Sequence, residues 1–262
     1  MNRLLCIIAA FSALALTSCD KVKRDSYSGN FCRIATVSIN ESHNPKLKID
    51  YTGEDITLSN FKSESDIDVF KARNGERVIA DISYDFIPSA DLYKYQLNAL
   101  SEIAIAPLDW GTVDQDTLGS YFHFSTLQLN LDFAYPQIWT NGHFLNATVS
   151  YYPDPDIPEE QNTINLYPRS MKGDTLCMLI KPVIPGTSRK FSGKSSYCCY
   201  DLSSIATVKS ATASSLMQQM RETGKDSLYL EIATCDSLEI FEGTGITRIK
   251  GAKAVVKFAL DF

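Results

Sequence analysis

The feature that most constrains the fold is a two-residue alternation. Val78, Ala80, Ile82, Tyr84 and Phe86 are separated by Ile79, Asp81, Ser83 and Asp85. Side chains on an extended strand alternate faces, so this spacing puts one apolar face against a core; on a helix the same residues would scatter around the axis. The period recurs at Ala35, Val37 and Ile39, at Leu47, Ile49 and Tyr51, and at Ile56 and Leu58. Tyr93, Tyr95 and Leu97, then Ile103 and Ile105, supply two more candidate strands. Asn74-Gly75 before the clearest run is a turn signal. Five to six strands with no helical pattern between them predict a small closed barrel over residues 30–108.

Pro107-Leu108-Asp109-Trp110-Gly111 and the polar stretch to Gly119 read as a boundary, with a second domain over residues 115–262. Leu127, Leu129, Leu131 and Phe133 alternate with polar residues, and Leu145, Ala147, Val149 and Tyr151 repeat the pattern after Asn141-Gly142. These two runs are expected to pair as a hairpin or as neighbouring strands, with Tyr135, Pro136 and Trp139 in the connection. Pro153, Pro155 and Pro158 keep residues 152–161 out of a sheet interior. Residues 175–180 form a continuous apolar run of the kind buried on both faces. Residues 211–223 carry the one convincing helix, with Leu216, Met217 and Met220 on a stripe and Gly224 as a stop. Leu228, Leu230 and Ile232, then Leu238 and Ile240, then Ala254, Val256, Phe258 and Leu260 complete the layout. The expected fold is all-β: a barrel followed by an antiparallel β-sandwich with one short helix.

The first nineteen residues read as a leader rather than as fold. Arg3 is followed by an apolar run over residues 4–16 and then by Leu16-Thr17-Ser18-Cys19, the pattern of a lipoprotein signal over residues 1–18. The run is short for a membrane-spanning helix. Cys19 would become the first mature residue, acylated on its sulfur and its amine, which is enough for stable attachment where a single chain is marginal. Residues 19–29 are polar and suit a flexible tether. Lys21, Lys23 and Arg24 lie within it, beside anionic headgroups. The localisation expected is the outer membrane, facing the periplasm, because no acidic surface-display run follows Cys19. With 25 Lys and Arg against 31 Asp and Glu, the acidic chain disfavours nucleic acid as a partner. Cys32, Cys177, Cys198, Cys199 and Cys235 remain after the leader and the anchor are set aside, and adjacent Cys198-Cys199 project to opposite faces of a strand, matching no zinc spacing.

The chain resembles the NigD-like lipoproteins of Bacteroidetes. The resemblance rests on the Cys19 lipobox, the early strand Arg33-Ile34-Ala35-Thr36-Val37, the Gly75-Glu76-Arg77-Val78 start of the strand ending near Phe86, and the two-part β layout. It implies an OB-like N-terminal barrel and a C-terminal β-sandwich, and it brings no catalytic residues with it.

Catalytic chemistry finds little footing. Gly-x-Ser-x-Gly is absent, and the histidines are His43, His123 and His143. His123 and His143 would approach each other if their strands paired, and with Asp132 would offer a metal set of no known spacing. No cysteine has a histidine-flanked signature. Glu159-Glu160 reads as part of a solvated loop, and phosphate-cradling glycine loops are missing, so no cofactor is implied. Tyr135, Trp139, Tyr151 and Tyr152 crowd around connections, where rings stack on a sugar or peptide; capping of the sandwich core is the competing account. Four Asp-Ser/Thr-aliphatic triplets, beginning at Asp116, Asp174, Asp226 and Asp236, resemble Bacteroidetes O-glycosylation acceptors and also suit turns. The reading is a lipid-anchored, non-enzymatic binding or scaffolding module with the membrane, and an envelope protein or glycan, as partners. An envelope hydrolase acting on glycans or peptides, and a fimbrial or adhesin subunit polymerising by strand exchange, are the alternatives. Replacing Cys19 with Ser is expected to remove the protein from the membrane fraction; a variant that stays there excludes acylation at this residue.

Overall fold

The computed structural model describes residues 26–39, 44–61, 63–110, 122–124, 127–130, 133–151, 158, 163–183, 194–203, 211–234, 237–242, 245–250 and 253–259. Residues 1–18, Cys19, His43, Asp132, Tyr152, Glu159-Glu160 and the triplet at Asp116 lie outside the described residues.

The chain is all-β as expected. β1 (Ser28–Ile39), β2 (Pro45–Ile49), β3 (Asp55–Thr57), β4 (Arg77–Ile87) and β5 (Leu92–Glu102) form one antiparallel sheet in the order β3-β2-β1-β4-β5. Its alternating residues do what the period dictates: Ala35, Val37, Leu47, Ile49, Ile56, Val78, Ala80 and Ile82 form one buried cluster. Gly75 takes the positive φ that the turn into β4 requires. The register slips between Asp81 and Ile82, so that Asn98 on β5 is extra. Such a bulge bends and twists a strand, and here it accompanies the curl of the sheet. A parallel bridge between Leu58 and Tyr95 brings the two edges together into a half-barrel.

The structure adds a helix that the strand pattern does not announce. α1 (Glu64–Lys71) lies between β3 and β4 and sets Phe70 into the barrel core beside Phe61. Phe70 is buried and Val69 is exposed, so two turns leave too sparse an apolar stripe to register as a period. Residues 103–110 are no free linker. Ala106 N–H donates to Cys199, Leu166 N–H to Pro107 and Asp109 N–H to Leu166, stitching the crossing to both sheets of the second domain.

In the second domain β10 (Phe144–Tyr151) is central, pairing with β13 (Lys194–Asp201), β9 (Ile138–Asn141) and β6 (Phe122–Phe124). The expected pairing of the 127–133 run with β10 is not observed. That run divides into β7 (Leu127–Asn130) and β8 (Phe133–Tyr135), which pair with each other. Gly142 at positive φ closes the short β9–β10 hairpin instead, giving β10 a nearer neighbour.

The facing sheet runs β11 (Thr163–Lys172), β12 (Thr175–Val183), β14 (Ser227–Ala233) and β17 (Lys253–Ala259). Residues 176–180 of β12 are buried throughout, as the apolar run predicts. One pair departs from the antiparallel pattern: β12 and β14 are parallel. The chain leaves β12 for β13 and α2 (Ala211–Glu222) before returning, the long crossover that parallel neighbours need. α2 sets Leu216 and Met220 into the core and stops at Gly224, which has positive φ. β15 (Ser237–Glu242) and β16 (Gly245–Lys250) form a separate hairpin.

Leu145, Ala147, Val149, Cys198 and Tyr200 meet Leu166, Met178, Ile180, Leu230, Ile232 and Phe258 in the sandwich core. Each fully buried aliphatic side chain contributes about 1.5–3 kcal/mol of burial free energy before entropy is counted. The opposite face of the β10 sheet packs on the barrel: Phe144 and Cys199 meet Ile34, Ile103, Tyr135 and Trp139. The result is three layers, with the β10 sheet in the middle. Among the described residues no helix is long and apolar enough to cross a membrane.

Candidate functional site

The chemically dense part of the described structure lies between barrel and sandwich. Asp50 follows β2 and Arg77 opens β4; both side chains are completely buried. Arg77 Nη1 donates to Asp50 Oδ1 at 2.6 Å, and Nη2 donates to Oδ2, a two-pronged guanidinium–carboxylate fork. The second domain completes the pair. Trp139 Nε1 donates to Asp50 Oδ2 at 2.9 Å and Asn141 Nδ2 donates to Oδ1. Asn146 Oδ1 accepts from Arg77 Nη2 at 3.0 Å and from Tyr197 Oη at 2.6 Å. Thr36 Oγ1 accepts from Nη1 at 2.8 Å, and the guanidinium sits 5.0 Å from the Phe144 ring centre.

Burial alone would lower the Arg77 pKa, but the bonded and adjacent Asp50 carboxylate holds it above the ordinary value, so the guanidinium stays charged. The carboxylate accepts from neutral donors as well as from the arginine, and both terminal guanidinium nitrogens donate, while Arg77 Nε is buried without a hydrogen-bond partner. The arrangement is a clamp between domains.

Of the aromatics selected from the sequence, Tyr135, Trp139 and Tyr151 belong to this interface or to the core behind it. Tyr135 stacks on Trp139 at 4.9 Å, Trp139 stacks on Tyr197 at 5.8 Å, and Tyr135 Oη accepts from the Ile34 N–H at 2.8 Å. Tyr135 and Trp139 are buried between the domains, and Tyr151 is buried in the sandwich core. Their rings are taken up by packing within the chain.

His123 pairs in register with Ser150, whereas His143 precedes β10 at the other end and sits 3.7 Å from Asp201. The two histidines are thus roughly 20 Å apart along the strand and share no site. Among the described residues no group of three His, Cys, Asp or Glu side chains could hold a metal ion. Cys198 and Cys199 do face opposite ways, into the sandwich core and into the domain interface. Burial pushes the Cys198 thiol up to about 12 and also raises Cys199, which removes nucleophilic thiolate at neutral pH.

The exposed aromatic surface is elsewhere, at the far end of the barrel. β2 pairs with β1 only from Ala35 to Ile39, so the first half of β1 extends past its cover together with β4 and β5. There the inward positions carry rings. Gly29, Tyr84 and Tyr95 share one row, and Phe86 and Tyr93 share the next beside Tyr27, whose carbonyl accepts from the Phe86 N–H. A side chain at position 29 would meet Tyr84 Oη at 2.7 Å, so glycine is what lets that ring lie across β1. Tyr27 stacks on Phe86 at 5.1 Å, Tyr93 on Tyr95 at 6.0 Å, and the Tyr27 and Tyr93 hydroxyls bond to each other. Tyr27 is 47% exposed and Tyr93 44%. Burial first, then the Glu54 carboxylate, raises the Tyr95 hydroxyl pKa. Sequence reasoning missed this patch because Tyr84, Phe86, Tyr93 and Tyr95 read as ordinary core positions. The signal was that these rings outrun the short β2 and β3.

No family profile and no curated protein matches the chain. It is similar to solved structures from Bacteroidales. A candidate lipoprotein from Bacteroides fragilis shares 12% identity over 88% of this chain and 98% of its own, with a TM-score of 0.48. A NigD-like immunity protein from Bacteroides caccae shares 13% identity over 88% of this chain and 97% of its own, at 0.45. An uncharacterized protein from Parabacteroides merdae shares 12% over 88% and 100%, at 0.47.

Asp50→Ala leaves the Arg77 charge buried without its partner and is expected to destabilise by about 3–5 kcal/mol in denaturant unfolding, with Asp50→Leu/Arg77→Met costing less than that single variant. A loss under about 1 kcal/mol for Asp50→Ala would remove the clamp from this account. The buried tyrosines give a pH signature. Burial pushes Tyr135 up to about 12, from an ordinary value of 10.0, and raises Tyr197 and Tyr200 as well. Their neutral forms are favoured in the fold, so this contribution is intact below pH 10 and is lost as pH rises toward 12 and beyond. Phenolate absorbance from these residues should grow in step with loss of circular dichroism; ionisation in a still-folded protein would contradict the burial.

Proposed function

We propose that the chain is a lipid-anchored, non-enzymatic protein of the bacterial envelope, a NigD-like binding or scaffolding module held at the outer membrane by acylated Cys19. The observation that carries the reading is a contrast between two regions. The buried groups capable of chemistry, Asp50, Arg77, Tyr197 and Cys199, are locked in a structural network, while the barrel end offers a contiguous cluster of aromatic rings of which Tyr27 and Tyr93 are exposed. Rings on a rigid sheet contact a partner with little loss of side-chain freedom, and tyrosines add hydroxyls for polar recognition. The clamp supports the same reading, since it fixes the barrel end relative to the second domain. The candidate lipoprotein and NigD-like descriptions of similar structures accord with the anchor, and the tether basic residues Lys21, Lys23 and Arg24 suit an anionic surface.

The test is site-specific photo-crosslinking in the native envelope. A photoreactive residue in place of Tyr95 is expected to yield an adduct with an envelope component, and one in place of Val255, exposed on the last strand, is expected to yield none. Equal adducts from both positions, or none from Tyr95, would refute a recognition face on the barrel.

A further inference from the structure

We propose that the tip of the β4–β5 hairpin, with Tyr27 beside it, makes a second, non-covalent contact with the bilayer that carries the anchor, so that the molecule stands barrel-end down on its membrane. The proposal rests on the anchored reading above and names the occupant of the same aromatic face.

Three observations converge. First, the hairpin tip has the wrong composition for a solvated turn. Ile87, Pro88, Ser89, Ala90, Asp91 and Leu92 hold a single charge, and residues 88–94 are exposed. Leu92 is 45% exposed beside Tyr93 and Tyr27. Lys94 faces Asp85 across the β4–β5 ladder, so the base of the tip carries a balanced pair. Second, the flanking residues are tyrosines, whose rings and hydroxyls suit the boundary between acyl chains and headgroups.

Third, the tether is short. Seven residue steps separate Cys19 from Ser26, a reach of at most about 25 Å. A compact chain of this size is about 45 Å across, so the face from which the tether emerges stays turned toward the anchoring surface. That face is the hairpin side: the Tyr27 carbonyl accepts from the Phe86 N–H, placing the start of β1 against the last residues of β4. A contact of a few side chains binds a bilayer weakly alone. Anchoring makes it intramolecular and raises its effective concentration.

The test holds residues 20–262 on vesicles of phosphatidylethanolamine and phosphatidylglycerol through an N-terminal hexahistidine and a nickel-chelating lipid, and reads amide exchange by mass spectrometry. Every described contact lies within residues 26–259, so the folded body is retained. Exchange over residues 87–92 is expected to slow about threefold or more on vesicles relative to the same chain in solution, with β14 unchanged. Leu92→Ser/Tyr93→Ser should abolish the slowing while β14 exchange stays that of the parent, which shows that the variant is folded. Equal exchange on and off vesicles, or slowing that survives the double substitution, would overturn the proposal. Slowing produced by soluble glycan fragments and not by vesicles would assign the face to a glycan and overturn it equally. The tether is artificial, so this result is independent of acylation, which fractionation of Cys19→Ser decides separately.

Discussion

The arrangement of this molecule depends on one buried ion pair. Asp50 and Arg77 belong to neighbouring parts of the barrel, yet beside Thr36 on β1 their further hydrogen-bond partners come from the second domain, in Trp139, Asn141 and Asn146. Removing a carboxylate and a guanidinium from water is costly, and an apolar interface of the same shape could match the pair in stability. What the pair supplies is direction. A purely apolar contact between Ile34, Ile103, Phe144 and Cys199 tolerates sliding, whereas a bidentate fork with three more fixed partners has one docking geometry.

That geometry makes the β10 sheet two-faced. Leu145, Ala147 and Val149 serve the sandwich while Phe144 and Asn146 serve the interface, and Cys198 and Cys199 divide in the same way on β13. Both faces are buried, so the sheet transmits the position of the sandwich to the barrel. The crossing at residues 103–110 adds backbone bonds to β13 and β11 along the same seam. The ends of β1, β4 and β5 run on beyond β2, and of the rings gathered there Tyr27 and Tyr93 stay half-exposed while Phe86 is buried beneath them.

Much of the fold was legible because strands advertise themselves by a period of two. The Val78–Phe86 alternation, the doubly buried run within β12 and the helix ending at Gly224 each report a local rule obeyed over several residues. The misses have a common cause. α1 sets Phe70 inward beside an exposed Val69, so its pattern is lost; the partner of β10 was set by the short Gly142 turn rather than by hydrophobic match; and the parallel β12–β14 pair follows from where α2 returns the chain. The candidate residues divided likewise. Tyr135 and Trp139 were conspicuous as aromatics near a connection, but a ring that stacks on a ligand and one that stacks on Tyr197 look the same in sequence.

Sequence alone determined that the chain is built of strands, placed the one convincing helix ahead of Gly224, and set an apolar N-terminal run before a cysteine. These are local properties: periodicity, turn chemistry and a short motif. Only the tertiary structure decided that Asp50 and Arg77 are partners, that Tyr135, Trp139 and Tyr151 are interior, and that Tyr27 and Tyr93 lie at the open end. The reason is that burial and pairing depend on residues far apart in the chain. No local window holds both Asp50 and Asn141, or shows that β2 stops short of the rings on β4 and β5.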